Sequence, residues 1–334
     1  MHHEQDDLSL RLLGTRAGGP NYVVVRPDGS PAFSGRSLRS EAMAWVPAAG
    51  AVVDFGSYAF GRPYPAPFGV NMLDLHGIDP MAVNHILFTH SHRDHFQPGS
   101  IGSLALARAR EGLGPLHLYG HAACLAKLPI RDYYNDVETG PGVRSDCGPM
   151  PEGALDACEL HPLEHGDSVT LGGVEFTAVR VNHWTVERGQ AYPHRATDFG
   201  GEHSFGYLIR AGGCSVFYCP DTSLLLEPTY EFLSSFALDA LIIDGTFYDH
   251  CDLDVENSGH LSAILLGPGR LSPKAARHFP KPLVSELRDR GIIATGTPVY
   301  VTHIHLDDYE AACAIARRFG HTISYDGMTV PLLA

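Results

Sequence analysis

The chain lacks any C-x-x-C pair. Its seven cysteines (Cys124, Cys147, Cys158, Cys214, Cys219, Cys251 and Cys313) show no framework spacing, which excludes a thiolate zinc knuckle and a disulfide scaffold and reads as reduced thiols in a cytosolic protein. No apolar run is long enough to span a bilayer, and the polar opening Met1-His2-His3-Glu4 carries no apolar signal core. The expected protein is soluble, cytoplasmic and without a membrane partner. Basic charge is also scarce. Lys plus Arg number 24 against 38 for Asp plus Glu, a formal net charge of −14. Such a surface repels phosphate backbones, and no local basic patch offsets it, so nucleic acid is not an expected partner. A small substrate is favoured, an anionic one if metal sits at the site; a homodimer stays open. There is no internal repeat or low-complexity tract. The length of 334 residues, 44% hydrophobic and 19% charged, suits one large domain or two modest ones. We take it as one, over 1–334.

What the chain has in quantity is histidine, 20 in all, and three fall together in Thr89-His90-Ser91-His92-Arg93-Asp94-His95. The apolar run His85-Ile86-Leu87-Phe88 before them reads as a buried strand that delivers this loop. Three imidazoles and a carboxylate within six residues are costly to bury unless a cation coordinates them. Extended backbone points residues two apart the same way, so His90 and His92 can grip one ion while Asp94 and His95 turn toward a second. Imidazole and carboxylate without thiolate favour zinc, with manganese or iron as alternatives.

Along the chain, Leu8–Leu13 alternates as a half-buried strand. Gly14–Pro20 turns into a strand at Tyr22–Val25; a phosphate-binding loop is the alternative there, although no helix signal follows. Ala51–Gly56 is a buried strand ending in Asp54, which either orients the metal loop or simply closes the strand. Loop 57–68, with Tyr58, Phe60, Tyr64 and Phe68, either stacks on a substrate ring or packs beneath the loop. Helix is expected over 69–84 in short form, 99–111, 122–128, 224–236, 282–290 and 308–319, with patches near 260–266 and 273–279. Strands are expected at 116–119, 168–171, 174–181, 205–209, 214–218, 240–243 and 299–301, and a hairpin around Asp326-Gly327. Residues 130–153 read as irregular. Two β-rich halves with helices imply two sheets packed face to face with helices outside.

Three more ligand candidates end apolar strands: His183 after Phe176–Val181, Asp221 after Tyr218-Cys219-Pro220, and His303 after Tyr300-Val301-Thr302. His183 would complete the first ion, His303 the second, and Asp221 would bridge them. His90-x-His92-x-Asp94-His95, followed by His183, Asp221 and His303, resembles the metallo-β-lactamase superfamily over about residues 8–330. The resemblance implies an α+β fold, a four-layer αβ/βα sandwich. Gly14-Thr15, Asp244-Gly245-Thr246-Phe247, Ser258-Gly259-His260-Leu261-Ser262 and Val301-Thr302-His303 are similar to the branch holding ribonuclease Z and the cyclic phosphodiesterase of the carbon–phosphorus lyase pathway.

That branch implies that His260 protonates the leaving oxygen, held by Asp244, and an imidazole oriented by a carboxylate suits that task near neutral pH; the plain alternative is a surface histidine that starts a helix. Ser262, Tyr64 and His194 are candidate substrate contacts. So is His305, two residues after His303, although the sequence leans toward a bland structural role there. The chain departs from the branch in lacking both a transfer-RNA-gripping arm and a cysteine-based structural zinc. The long run 184–204, with Arg188, Tyr192, His194, Arg195, Asp198 and His203, directly follows a ligand and is expected to be a substrate-recognition insertion. The expected activity is a two-metal phosphodiesterase acting on a small cyclic or nucleotide-like substrate, with Asp94, His260 and Asp244 catalytic. Alternatives are a lactone or thioester hydrolase on the same metals, di-iron oxygen chemistry, and a cofactor-biosynthesis protein resembling the B protein of pyrroloquinoline-quinone biosynthesis.

Overall fold

The structure, a computed structural model, describes residues 8–15, 41–56, 72–92, 94–129, 133–134, 137–138, 149–181, 183, 203–222, 225–245, 280–304 and 309–332. Two seven-stranded sheets carry it. The strands in chain order are β1 (Ser9–Gly14), β2 (Met43–Val46), β3 (Ala51–Val53), β4 (His85–Leu87), β5 (Leu116–Gly120), β6 (Tyr133–Tyr134), β7 (Val137–Glu138), β8 (Cys158–Pro162), β9 (Ser168–Leu171), β10 (Val174–Arg180), β11 (Phe205–Ala211), β12 (Cys214–Cys219), β13 (Ala240–Asp244), β14 (Val299–Thr302), β15 (Thr322–Ile323) and β16 (Met328–Pro331). The first sheet runs β16-β1-β2-β3-β4-β5-β8 and the second β15-β14-β13-β12-β11-β10-β9; among the described strands β6 and β7 pair with each other. Each large sheet is half antiparallel and half parallel. The parallel half is β3-β4-β5-β8 in one and β12-β13-β14-β15 in the other.

Parallel strands are covered on both faces, so they read as continuous apolar runs rather than alternating ones. β12 shows the consequence: Val216 and Tyr218 enter the core between the sheets, while Phe217 and Cys219 enter the layer outside the second sheet. In the first sheet Leu87 faces inward, and Ile86 and Phe88 face outward. The outer layers come from helices. These are α1 (Met72–Leu75), α2 (Pro98–Arg110) and α3 (Ala122–Leu125) on the first sheet. On the second, α4 (Glu227–Leu233) contributes Tyr230 and Leu233, and α5 (Pro280–Asp289) contributes Leu283, Val284 and Leu287. A last helix, α6 (Tyr309–Arg318), leads into β15. The architecture is the expected four-layer αβ/βα sandwich of the metallo-β-lactamase fold.

Three expectations need correction. Residues 322–331 form no hairpin: β15 joins the second sheet beside β14, whereas β16 crosses to pair with β1 in the first. The turn itself is real, with Gly327 at φ +87°, but local turn chemistry does not say which sheet receives each strand. Helix 122–128 stops at Leu125 and continues as turns, and 69–84 resolves into α1 and a short 3-10 turn at Pro80–Ala82. Four strands, β2, β6, β7 and β8, were not expected; β6 and β7 form a short antiparallel pair within 130–153, which the sequence reads as irregular. The strand at 22–25 and the helical patches at 260–266 and 273–279 lie outside the described residues.

The two sheets are stitched at the rim that bears the metal loop. The Tyr207 hydroxyl on β11 donates to the Phe88 carbonyl at 2.8 Å, and the Phe205 amide donates to the Thr89 carbonyl at 2.8 Å. Tyr207→Phe keeps the apolar volume but leaves a buried carbonyl short of a donor. Urea unfolding should show a loss of about 1–2 kcal/mol; an unchanged midpoint would mean that this inter-sheet bond contributes nothing.

Candidate metal centre

The candidate ligands sit on one rim because the chain leaves its strands there. β4 delivers His90, His92, Asp94 and His95, β10 delivers His183, β12 delivers Asp221, and β14 delivers His303. Ligand sites at the carboxyl ends of strands are the general habit of sheets with parallel strands. All seven residues are buried, none above 8% exposure.

They form two clusters. His90, His92, His183 and Asp221 make one, and Asp94, His95 and His303 the other; in each, the ligand atoms lie within 4.8 Å of one another. In the first, His92 Nδ1 is 3.0 Å from His183 Nε2, His90 Nε2 is 3.5 Å from Asp221 Oδ2, and His183 Nδ1 is 3.2 Å from Asp221 Oδ1. In the second, His95 Nε2 lies 3.1 Å from His303 Nε2 and 3.6 Å from Asp94 Oδ2, and His303 Nε2 lies 3.3 Å from Asp94 Oδ2. Asp221 joins the clusters. Its Oδ2 is also 3.8 Å from His95 Nε2 and 4.0 Å from His303 Nε2.

The donor set fits a pair of cations. Ligands about 2.0–2.1 Å from a tetrahedral ion stand about 3.3 Å from each other, and the observed separations bracket that value. His90 Nε2 is buried and makes no hydrogen bond, an arrangement that an ion at that nitrogen would satisfy. Among the described residues no thiolate takes part: Cys219, the cysteine nearest in sequence to a ligand, faces the outer apolar layer.

Behind the ligands stands Asp54, fully buried. Its Oδ1 accepts from the Thr89 amide at 2.8 Å and the Thr89 hydroxyl at 2.9 Å, and its Oδ2 lies 2.7 Å from His95 Nδ1. A His95 Nδ1–H donated to that carboxylate leaves Nε2 as the ligand atom. Of the two sequence readings of Asp54, orienting the loop is therefore the one the geometry supports. Asp244 does the parallel task in the second sheet, with Oδ1 3.6 Å from His303 Nδ1 and Oδ2 accepting from the Thr222 amide at 3.1 Å. Its partners among the described residues include His303 and Thr222; the expected pairing with His260 lies outside the described residues. Asp54 (φ 64°) and His303 (φ 53°) are the non-glycine residues with left-handed backbone among the described residues. That conformation costs about 1–2 kcal/mol and persists where surrounding contacts over-determine it, as at functional sites.

Glycine permits two close approaches. A Cβ at Gly56 would meet the Asp94 carbonyl at 2.5 Å, and one at Gly245 would collide with Val301 Cγ1. Sequence reasoning missed Lys127, whose ammonium donates to Ser91 Oγ at 2.8 Å between two ligands. Nothing in residue order ties the end of α3 to that loop. His260, Ser262, His305, Tyr64 and His194 lie outside the described residues, as do loop 57–68 and most of 184–204.

The cluster's charges are strongly coupled. Burial and the neighbouring imidazoles hold His90 well below the usual histidine range. Burial opposes ionisation of Asp94, but His95 and His303 outweigh it and hold its carboxyl well below the usual range. Burial likewise opposes charging His303, yet Asp221, Asp244 and Asp94 pull it well above its usual range. A cation at His303 Nε2 must expel that proton, so uptake should release protons and strengthen as pH rises. Calorimetric zinc titrations in buffers of differing ionisation enthalpy, run from pH 6 to about 8, should show net proton release and rising affinity. Affinity that is flat or falls with pH contradicts this protonation pattern.

A family model described as a beta-lactamase superfamily domain matches residues 72–320. No curated protein matches the chain in sequence. Among solved structures, the metallo-beta-lactamase fold protein YhfI from Bacillus subtilis is similar at 15% identity and a TM-score of 0.56, over 96% of this chain and 98% of that one. Zinc-bound PqqB from Methylobacterium extorquens gives 17% identity and 0.56, over 97% and 100%. A diphosphatase from the PhnP family gives 18% and 0.55, over 96% of each chain. Taken with the matched sequence and the two clusters at the strand ends, these place the chain in the metallo-β-lactamase superfamily.

Proposed function

We propose that the protein is a binuclear metal-dependent hydrolase acting on a small phosphodiester. The observation that carries this is Asp221 facing both ligand clusters, an arrangement suited to two neighbouring cations. Zinc is the ion proposed, on the imidazole and carboxylate donor set. A bound pair of cations supplies Lewis acidity at a phosphoryl oxygen and lowers the pKa of a water nucleophile. The chain does the rest. Asp54 and Asp244 hold His95 and His303 with Nε2 toward the cluster. Lys127 places a cation beside Ser91, where it can attract an anionic substrate.

Support for a phosphodiester comes from the branch-level motifs and from the PhnP-family neighbour, described as a diphosphatase. The net charge of −14 favours a small anion drawn in locally over a polyanion gripped along its length. His260 is proposed to protonate the leaving alkoxide. His260→Ala should leave metal content unchanged and lower kcat by about 10²–10⁴ on alkyl-leaving phosphodiesters, but far less on bis-p-nitrophenyl phosphate. Equal losses on both substrates would remove the proton-donor role. Turnover of lactones or thioesters with none of phosphodiesters would overturn the substrate class.

A further inference from the structure

A second group of metal-ligating side chains lies outside this centre. His117 on β5 and Glu159 and His161 on β8 each offer a ligand atom within 4.8 Å of the others. β5 and β8 are parallel, with His117 opposite Glu159 and Tyr119 opposite His161. Residues in register, or two apart, share a face of a sheet, so the three donors project from the same side. His117 Nδ1 is 3.0 Å from His161 Nε2 and 3.5 Å from Glu159 Oε2, and His161 Nε2 is 3.7 Å from Glu159 Oε1. These separations again bracket the edge of about 3.3 Å between ligands of one tetrahedral ion.

The rings are held in place. Tyr119 stacks on His161 with centroids 4.5 Å apart at 14°, and His85 stacks on His117 at 5.1 Å and 26°. The site is partly open: the His117 and His161 side chains are 29% and 30% exposed and Glu159 is 54% exposed. Among the described strands, β8 is the outermost of its sheet.

We infer that His117, Glu159 and His161 form a second, independent site for one zinc-class divalent cation. Two imidazoles and a carboxylate supply three ligands, and solvent fills the fourth position. Because the ligands come from both strands, the ion would staple the edge strand β8 to β5, an edge that sheets otherwise leave open.

The test compares full-length wild type with His117→Ala, His161→Ala and Glu159→Gln, each dialysed against free Zn2+ held at about 10 μM. Zinc per chain is then counted by plasma emission. The inference predicts one more ion per chain in wild type than in either histidine variant, whatever the content of the Asp221-centred site. Zinc should also raise the Tm of wild type by more than that of the variants. If a histidine variant fails to fold, the exposed Glu159→Gln reads the same site through at least a tenfold loss of affinity for that ion. Equal zinc content and equal zinc-induced Tm shifts in all four proteins would overturn the inference. Failure of the phosphodiesterase assay would leave it untouched.

Discussion

One buried carboxylate sets the geometry on which the centre depends. Asp54 has no exposure and left-handed backbone at φ 64°, and it spends both oxygens on the metal loop, Oδ1 on the Thr89 amide and hydroxyl and Oδ2 on His95 and the same hydroxyl. Burial pushes its pKa upward, against the pull of His95 and Thr89. A carboxylate in that setting is tolerable only while its donors stay in place. The interaction is therefore reciprocal: Asp54 orients the loop, and the loop keeps Asp54 satisfied. The peptide bonds on either side reinforce it, with the Asp54 amide donating to the Leu87 carbonyl at 2.8 Å and the Phe55 amide to the His95 carbonyl at 2.7 Å.

The sandwich turns this local device into a shared site. The metal loop belongs to the first sheet, yet its Phe88 and Thr89 carbonyls accept from Tyr207 and Phe205 of the second. Those residues lie on β11, between the strands that deliver His183 and Asp221. On the far side, the Ile304 amide donates to the Thr15 carbonyl at 3.0 Å, and Thr15 Oγ1 donates to Asp326 at 2.7 Å, tying the His303 strand to β1. Each ligand cluster draws on both sheets, so displacing one sheet would pull both clusters apart. The matching order of antiparallel and parallel strands in the two sheets brings both sets of strand ends to one rim, the second sheet presenting Asp221, Asp244 and His303 opposite the histidine-rich loop.

Much of this was legible in residue order, for reasons that can be named. The loop His90–His95 concentrates ligand chemistry that has few other uses, and His183, Asp221 and His303 each close an apolar run, so their convergence could be expected before any coordinates. Asp54 could not be decided from sequence, because a carboxylate after a strand looks the same whether it caps a turn or orients a histidine. The strand β8, Cys158–Pro162, was invisible because its residues are mostly exposed at a sheet edge and carry no buried period. β15 and β16 were misjoined for another reason: a turn fixes the path of the chain locally, while sheet membership depends on partners more than 300 residues away, as in Leu12 with Met328. The pairing of His117 with Glu159 and His161 was equally hidden, since it needs the register of two strands that are not consecutive.

The claim most exposed to test is that the clusters on either side of Asp221 each hold a cation. Anomalous scattering, recorded at the absorption edge of whatever metal co-purifies with the protein, addresses it directly. The account predicts two peaks, one enclosed by His90, His92 and His183 and the other by Asp94, His95 and His303, with Asp221 between them. Metal-replete crystals showing no peak at either cluster would contradict it.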